Sequence, residues 1–178
     1  MWQPDGVPGT AQDALQRLLK DVVAPALRAE GLQGSGKAYV LPDPVYWAQV
    51  GFQGSYRSTA DATQFTINLK VTSKAAWDEA RRDHSPVKDT PPPGVDRAEW
   101  DARRLKESAY PLRPSANIFG GGTMRIGHLI PSIGRDHWWT LTVANARPVV
   151  DDALDALVRY GLPWLRQQVA KPLSAGPC

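Results

Sequence analysis

The stretch QFTINLKVT, Gln64 to Thr72, decides the fold class. Phe65, Ile67, Leu69 and Val71 alternate with Gln64, Thr66, Asn68 and Lys70. That period of two sends the two sets to opposite faces of a pleated strand. One wholly apolar side and one wholly polar side mark a strand of an antiparallel sheet, packed on one face only. The chain before it repeats the pattern. VYWAQVGFQGSY, Val45 to Tyr56, sets Tyr46, Ala48, Val50 and Phe52 against Trp47, Gln49 and Gln53, and GKAYVLP, Gly36 to Pro42, precedes it. The three read as successive strands of an antiparallel meander.

Upstream the period is helical. Leu15, Leu18, Leu19, Val22, Val23, Ala26 and Leu27 recur at spacings of three and four, which gathers them on one face of a helix. Thr10 with Asp13 offers an N-cap and Gly31 a C-terminal stop. Pro25 lacks a backbone N–H, so a kink or a split is expected there. A last helix starts near Arg147-Pro148, where proline in the first turn is tolerated. Its apolar stripe is Val150, Leu154, Leu157 and Val158, and Gly161 with Pro163 marks a break before a continuation through Trp164, Leu165 and Val169.

RIGHLIPSIGRDHWWTL, Arg125 to Leu141, concentrates the reactive side chains. Met124, Ile126, His128 and Ile130 alternate with Arg125, Gly127 and Leu129; His137, Trp139, Leu141 and Val143 alternate with Asp136, Trp138, Thr140 and Thr142. With SIGR as a turn the two runs read as a hairpin, His128 opposite Trp139 and Leu129 opposite Trp138. Both histidines then fall on the apolar face. Asp136 and His137 point to opposite sides, which removes that Asp-His neighbour pair as a catalytic dyad. Arg125 and Asp136 share the polar face but stand roughly 20 Å apart in this register, too far for an ion pair. A third ligand for a metal at the two histidines is not at hand, and they read as core residues.

The middle of the chain is less regular. A short helix is expected over about Ser73–Asp83 and another from Asp96, while HSPVKDTPPPGV and ESAYPLRPSANIFGGG read as long connections, since consecutive prolines exclude helix and central strand. Connections of such length are lids or poorly ordered. GLQGSGKA, Gly31 to Ala38, follows P-loop spacing up to its lysine. It then carries Ala38 where a hydroxyl must hold magnesium, and it leads from a helix into a strand instead of the reverse.

Composition bounds the rest. The 178 residues, 42% hydrophobic, suffice for one domain with a core. A formal charge of +3 is no dense basic patch, and the arginine pairs Arg81, Arg82 and Arg103, Arg104 lie among acids, so nucleic-acid binding is not implied. No run of about 18 apolar residues exists, and the start lacks a secretory pattern. The reading is a cytoplasmic protein with no membrane partner. The single cysteine, Cys178, excludes an intrachain disulfide. Residues 1–9 and 171–178 read as flexible ends around one domain, 10–170.

The order LLKDVVAPALRAEGL, VYWAQVGFQGS, FTINLKV, RIGHL, DHWWTL and YGLPWL resembles the bacterial domain of unknown function 4304 family across roughly residues 10 to 170. The resemblance implies an α+β domain and supplies no catalytic residues.

The expectation is therefore an α+β fold: an antiparallel sheet of about five strands with the N- and C-terminal helices packed on one face. Its opposite face would carry Trp47, Gln49, Gln53, Thr66, Asn68, Arg125, Asp136 and Trp138. Aromatic rings interleaved with amides and an arginine suit a binding surface; the alternative is that the 84–122 region covers that face. Two functions stay open. One is a non-enzymatic binding or interaction domain, using Trp47, Gln49, Gln53, Asn68, Arg125, Asp136 and Trp138 for a protein or small-molecule partner. The other is a small hydrolase acting on phosphate or acyl groups through Arg125 with Asp136 or a histidine. No cofactor or metal is expected, and neither ligand identity nor oligomeric state follows from the sequence.

Overall fold

The computed structural model describes residues 9–77, 94, 96 and 121–171. They form an antiparallel sheet with helices from both ends of the chain on one face, the α+β arrangement that the alternation predicts. The order is helix α1 (Ala11–Leu18), a π turn (Leu19–Val23), α2 (Ala24–Ala29), strands β1 (Gln33–Ser35), β2 (Ala38–Leu41), β3 (Tyr46–Gly54), β4 (Ala62–Ser73) and β5 (Gly121–Arg125). A 3-10 turn (Ile126–His128), β6 (Trp139–Thr142), α3 (Ala146–Ala156), a second π turn (Leu157–Gly161) and α4 (Leu162–Val169) follow. A helical turn also begins at residue 74, its start bonded to the Ser73 hydroxyl. The rest of the expected helix to Asp83, the helix from Asp96, the two long connections and the four paired arginines lie outside the described residues.

The N-terminal helix starts as its sequence dictates. Asp13 N–H donates to Thr10 Oγ1 at 3.2 Å while Thr10 N–H donates to Asp13 Oδ2 at 2.9 Å, a reciprocal cap. The Thr10 hydroxyl, donating to Asp13 Oδ2 at 2.8 Å, and then the Thr10 N–H hold the Asp13 carboxyl below its usual pKa. Gly31, at φ 88°, ends the helical segment in the left-handed region. The break expected at Pro25 is the π turn just before it. Ala24 N–H reaches back five residues to Leu19 O, so the ladder widens just before the residue that has no N–H to give. Pro163 is prepared in the same way, with Leu162 N–H donating to Leu157 O. Each π turn lets the buried stripe continue: Leu15, Leu19, Val23 and Leu27 at one end, Val150, Leu157, Leu162 and Leu165 at the other.

In the sheet, β1 to β4 follow one another as a meander, and GLQGSGKA becomes the tight β1–β2 hairpin in place of a phosphate loop. On the helix-covered face, Tyr39, Phe52, Phe65 and Trp139 make an aromatic row across β2, β3, β4 and β6, with centroid separations of 6.2, 6.2 and 5.7 Å. Ala48, Val50, Ile67, Leu69 and Leu141 fill the space around it. Trp139 also donates its indole N–H to Asp152 of α3 at 2.7 Å, which anchors the end of the sheet to the last helical segment.

The hairpin expected over residues 124–143 does not form. β5 and β6 both pair with β4, along the same edge and in the same direction: Arg125 opposes Asn68, and after an excursion Trp139 opposes Phe65. They are two collinear pieces of one edge strand, separated by residues 126–138. Pro131, which has no N–H for a ladder, and Gly134, at φ 60°, belong to that excursion. Ile126 anchors it. Fully buried, it packs on Gly161, where a Cβ would stand only 2.8 Å from its Cδ1.

Candidate functional site

On the face away from the helices, β4 presents Gln64, Thr66, Asn68, Lys70 and Thr72. β3 adds Trp47, Gln49 and Gln53, and β5 adds Thr123 and Arg125. This polar row is not a solvated surface. Gln49, Thr66, Asn68, Lys70 and Thr72 are all buried. Burial pushes the Lys70 ammonium below its usual pKa, and its Nζ lies 5.4 Å from the centre of the Trp77 ring. Polar groups withdrawn from water need partners, and several here have none among the described residues. Thr66 Oγ1, Asn68 Oδ1, Thr72 Oγ1 and Arg125 Nε are buried without a hydrogen bond to any of them. Each such group costs about 1–3 kcal/mol.

The expected site residues divide into two groups. Gln53, Asn68, Arg125, Asp136 and Trp138 form one connected set. Gly51 opposes Asn68 and has no side chain, so the Asn68 amide reaches diagonally to donate to Gln53 Oε1 at 2.7 Å. Asn68 is the cross-strand partner of Arg125. The Arg125 guanidinium pairs with Asp136 and lies 5.5 Å from the centre of the Trp138 ring. Trp47 and Gln49 sit toward the other end of the sheet, opposite Thr72 and Lys70; Trp47 is half-buried and receives Lys74 Nζ 4.6 Å from its ring centre.

Two expectations from the hairpin register are corrected. Arg125 and Asp136 are not separated along a ladder; they form a direct ion pair, because the excursion after β5 doubles back over Arg125. His128 is not a core residue. It is exposed, and its Nε2 lies 3.0 Å from Asp136 Oδ1. Asp136 thus bridges Arg125 through one oxygen and His128 through the other. His137, by contrast, is half-buried and sets its ring edge-on to Trp139 at 4.5 Å.

Gly127 makes this doubling back possible. A Cβ there would stand 2.2 Å from Arg135 O and 2.7 Å from both the N and the Cβ of His137. The backbone on either side of Asp136 therefore rests directly on Gly127. Sequence reasoning assigns His128 to the core and does not single out Thr123 or this glycine. The one available signal was a glycine inside an apparent strand, which marks a bulge or a close backbone approach.

Asn68, Leu69, Thr123, Met124, Arg125, His128 and Asp136 line a cleft of about 510 Å³, within the usual size of small-molecule sites. A second pocket, about 660 Å³, shares Asp136 and is lined by Ser132, Ile133, Arg135 and His137. No cluster of His, Cys, Asp and Glu suited to a metal ion exists among the described residues. None of their helices is long and apolar enough to cross a membrane.

A sequence-family model described as a domain of unknown function (DUF4304) matches residues 23–167. No curated protein and no solved structure matches the chain.

Proposed function

The chain belongs to the DUF4304 family, a membership that brings no activity with it, and from the cleft we propose that the protein is a non-enzymatic binding domain for a small molecule. The observation that carries this reading is the buried, incompletely paired polar row beside a cleft. A sheet face built only for solvent would leave these groups wet, and one built only for packing would be apolar. Retaining Asn68 and Arg125 with unmatched atoms at the wall of a 510 Å³ cleft suits a site whose remaining partners arrive with the ligand. The mixed lining, Leu69 and Met124 beside Asn68, Thr123 and Arg125, has the composition of such sites. We place this binding in the cytoplasm, in line with the absence of a membrane-crossing helix among the described residues.

A thermal-shift screen of a metabolite library against the wild type and Arg125→Met tests this. Compounds that raise the Tm of the wild type and leave that of the variant unchanged support the cleft. Equal shifts in both place binding elsewhere and refute it.

A second reading, hydrolase-type chemistry on phosphate or acyl groups, is favoured by one observation. Asp136 holds His128 through Nε2, the orientation that leaves Nδ1 as a base, with the Arg125 guanidinium alongside. Both His128 and Asp136 are about half exposed, where such a pairing contributes little, so binding is the reading adopted. Product analysis of any compound found in the screen separates the two: a compound recovered unchanged supports binding, and one hydrolysed by the wild type but not by Asp136→Asn supports catalysis.

A further inference from the structure

Resting on the cleft reading, we propose that the ligand is a neutral molecule presenting an N–H donor and a carbonyl acceptor side by side, as a lactam or primary amide does. Asn68 and Arg125 face each other across β4 and β5, where paired side chains start about 5 Å apart. The amide of Asn68 is oriented by its bond to Gln53, which commits Nδ2 as a donor and leaves Oδ1 as a buried acceptor with no partner among the described residues. Arg125 is oriented at its far end, through the bond from Nη1 to Asp136, which leaves Nε–H as a buried donor with no partner among the described residues. One unpaired acceptor and one unpaired donor therefore sit on cross-strand partners that line the same cleft. A group with an adjacent N–H and C=O answers both at once, after side-chain adjustment of the kind common on binding.

Charge argues for neutrality. The guanidinium of Arg125 is already matched by the carboxylate of Asp136. An anion entering the cleft meets Asp136, and a cation meets Arg125. Lys70 projects from the same sheet face, but its ammonium lies over the Trp77 ring and the residue is not part of the cleft wall. Matched opposite charges with an unmatched dipolar edge beside them select a polar, uncharged group.

The test is a nitrogen-15 NMR titration of the full-length chain with four probes of similar size: 2-pyridone, benzamide, benzoate and benzylamine. The expected result is binding of 2-pyridone and benzamide at about millimolar Kd, typical of fragments this small, with shifts in the Asn68 side-chain amide and Arg125 Nε–H signals. Benzoate and benzylamine are expected to bind at least about tenfold more weakly. Asn68→Asp gives Arg125 a carboxylate partner within the chain, and is expected to weaken 2-pyridone about tenfold or more; Arg125→Met, which removes the Nε–H donor without placing a charge beside Asn68, should do the same. Benzoate or benzylamine moving those signals at equal or lower concentration than the amides overturns the proposal and leaves the cleft as a ligand site. No probe moving any signal of Asn68, Thr123, Arg125, His128 or Asp136 overturns both.

Discussion

Replacing Gly127 by alanine tests how the site is assembled. The added methyl would sit 2.2 Å from Arg135 O and 2.7 Å from the backbone N of His137, whereas a relaxed carbon contact needs about 3.5 Å. The segment carrying Asp136 must then retreat by about 1 Å. A retreat of that size stretches the 3.0 Å contact between His128 Nε2 and Asp136 Oδ1 beyond hydrogen-bond range. Overpacking of this kind costs about 1–3 kcal/mol. Asp136→Ala deletes the same ion pairs without a clash, and because these residues are partly exposed it is expected to cost under about 1 kcal/mol. Urea denaturation of the wild type and both variants gives the comparison. The expected order is a larger loss for Gly127→Ala than for Asp136→Ala, with both variants shifting the His128 imidazole signals. Gly127→Ala within about 0.5 kcal/mol of wild type, with the His128 signals unmoved, would refute the reasoning.

Three further outcomes follow from the same geometry. Burial pushes the Tyr39 phenol up to about 12, so its contribution to stability is complete below pH 10 and is lost as the pH rises from about 10 to about 12. Tyrosinate absorbance should show one late phase that Tyr39→Phe abolishes. Asp152→Ala strips the acceptor from the buried Trp139 indole N–H and should cost about 1–3 kcal/mol in chemical denaturation, against less than half as much for Asp152→Asn, which keeps an acceptor oxygen. Thr66→Val replaces a buried hydroxyl that has no partner among the described residues by a methyl, and should leave stability unchanged or raise it by about 1 kcal/mol; a loss above about 1 kcal/mol would show that the hydroxyl is satisfied.

What the sequence disclosed depended on how local the determining physics was. Alternation in Gln64–Thr72 is a direct image of the pleat, and the three-and-four spacing of Leu15 to Leu27 is a direct image of a helix face; both survive in the structure. The proline positions forecast the breaks at Pro25 and Pro163, though not that π turns would absorb them. The segment from Ile126 to Trp138 was misread because alternation continues through it by coincidence. Its course is set by long-range packing: Ile126 against Gly161, and the backbone of Arg135 and His137 against Gly127. Those contacts carry no signal at the spacing of neighbours. The same holds for the site. Asn68, Gln53 and Arg125 were placed on one face correctly by parity, whereas the pairing of Asp136 with Arg125 and His128 required the excursion to be known.

A crystal structure of the protein after soaking in 2-pyridone or benzamide bears most directly on the cleft. The account predicts density between Asn68 and Arg125, bounded by Thr123, His128 and Asp136, with one contact to Asn68 Oδ1 and one to Arg125 Nε. A well-diffracting crystal in which both compounds are ordered elsewhere, and Asn68 and Arg125 close onto each other or onto a lone water, would contradict it.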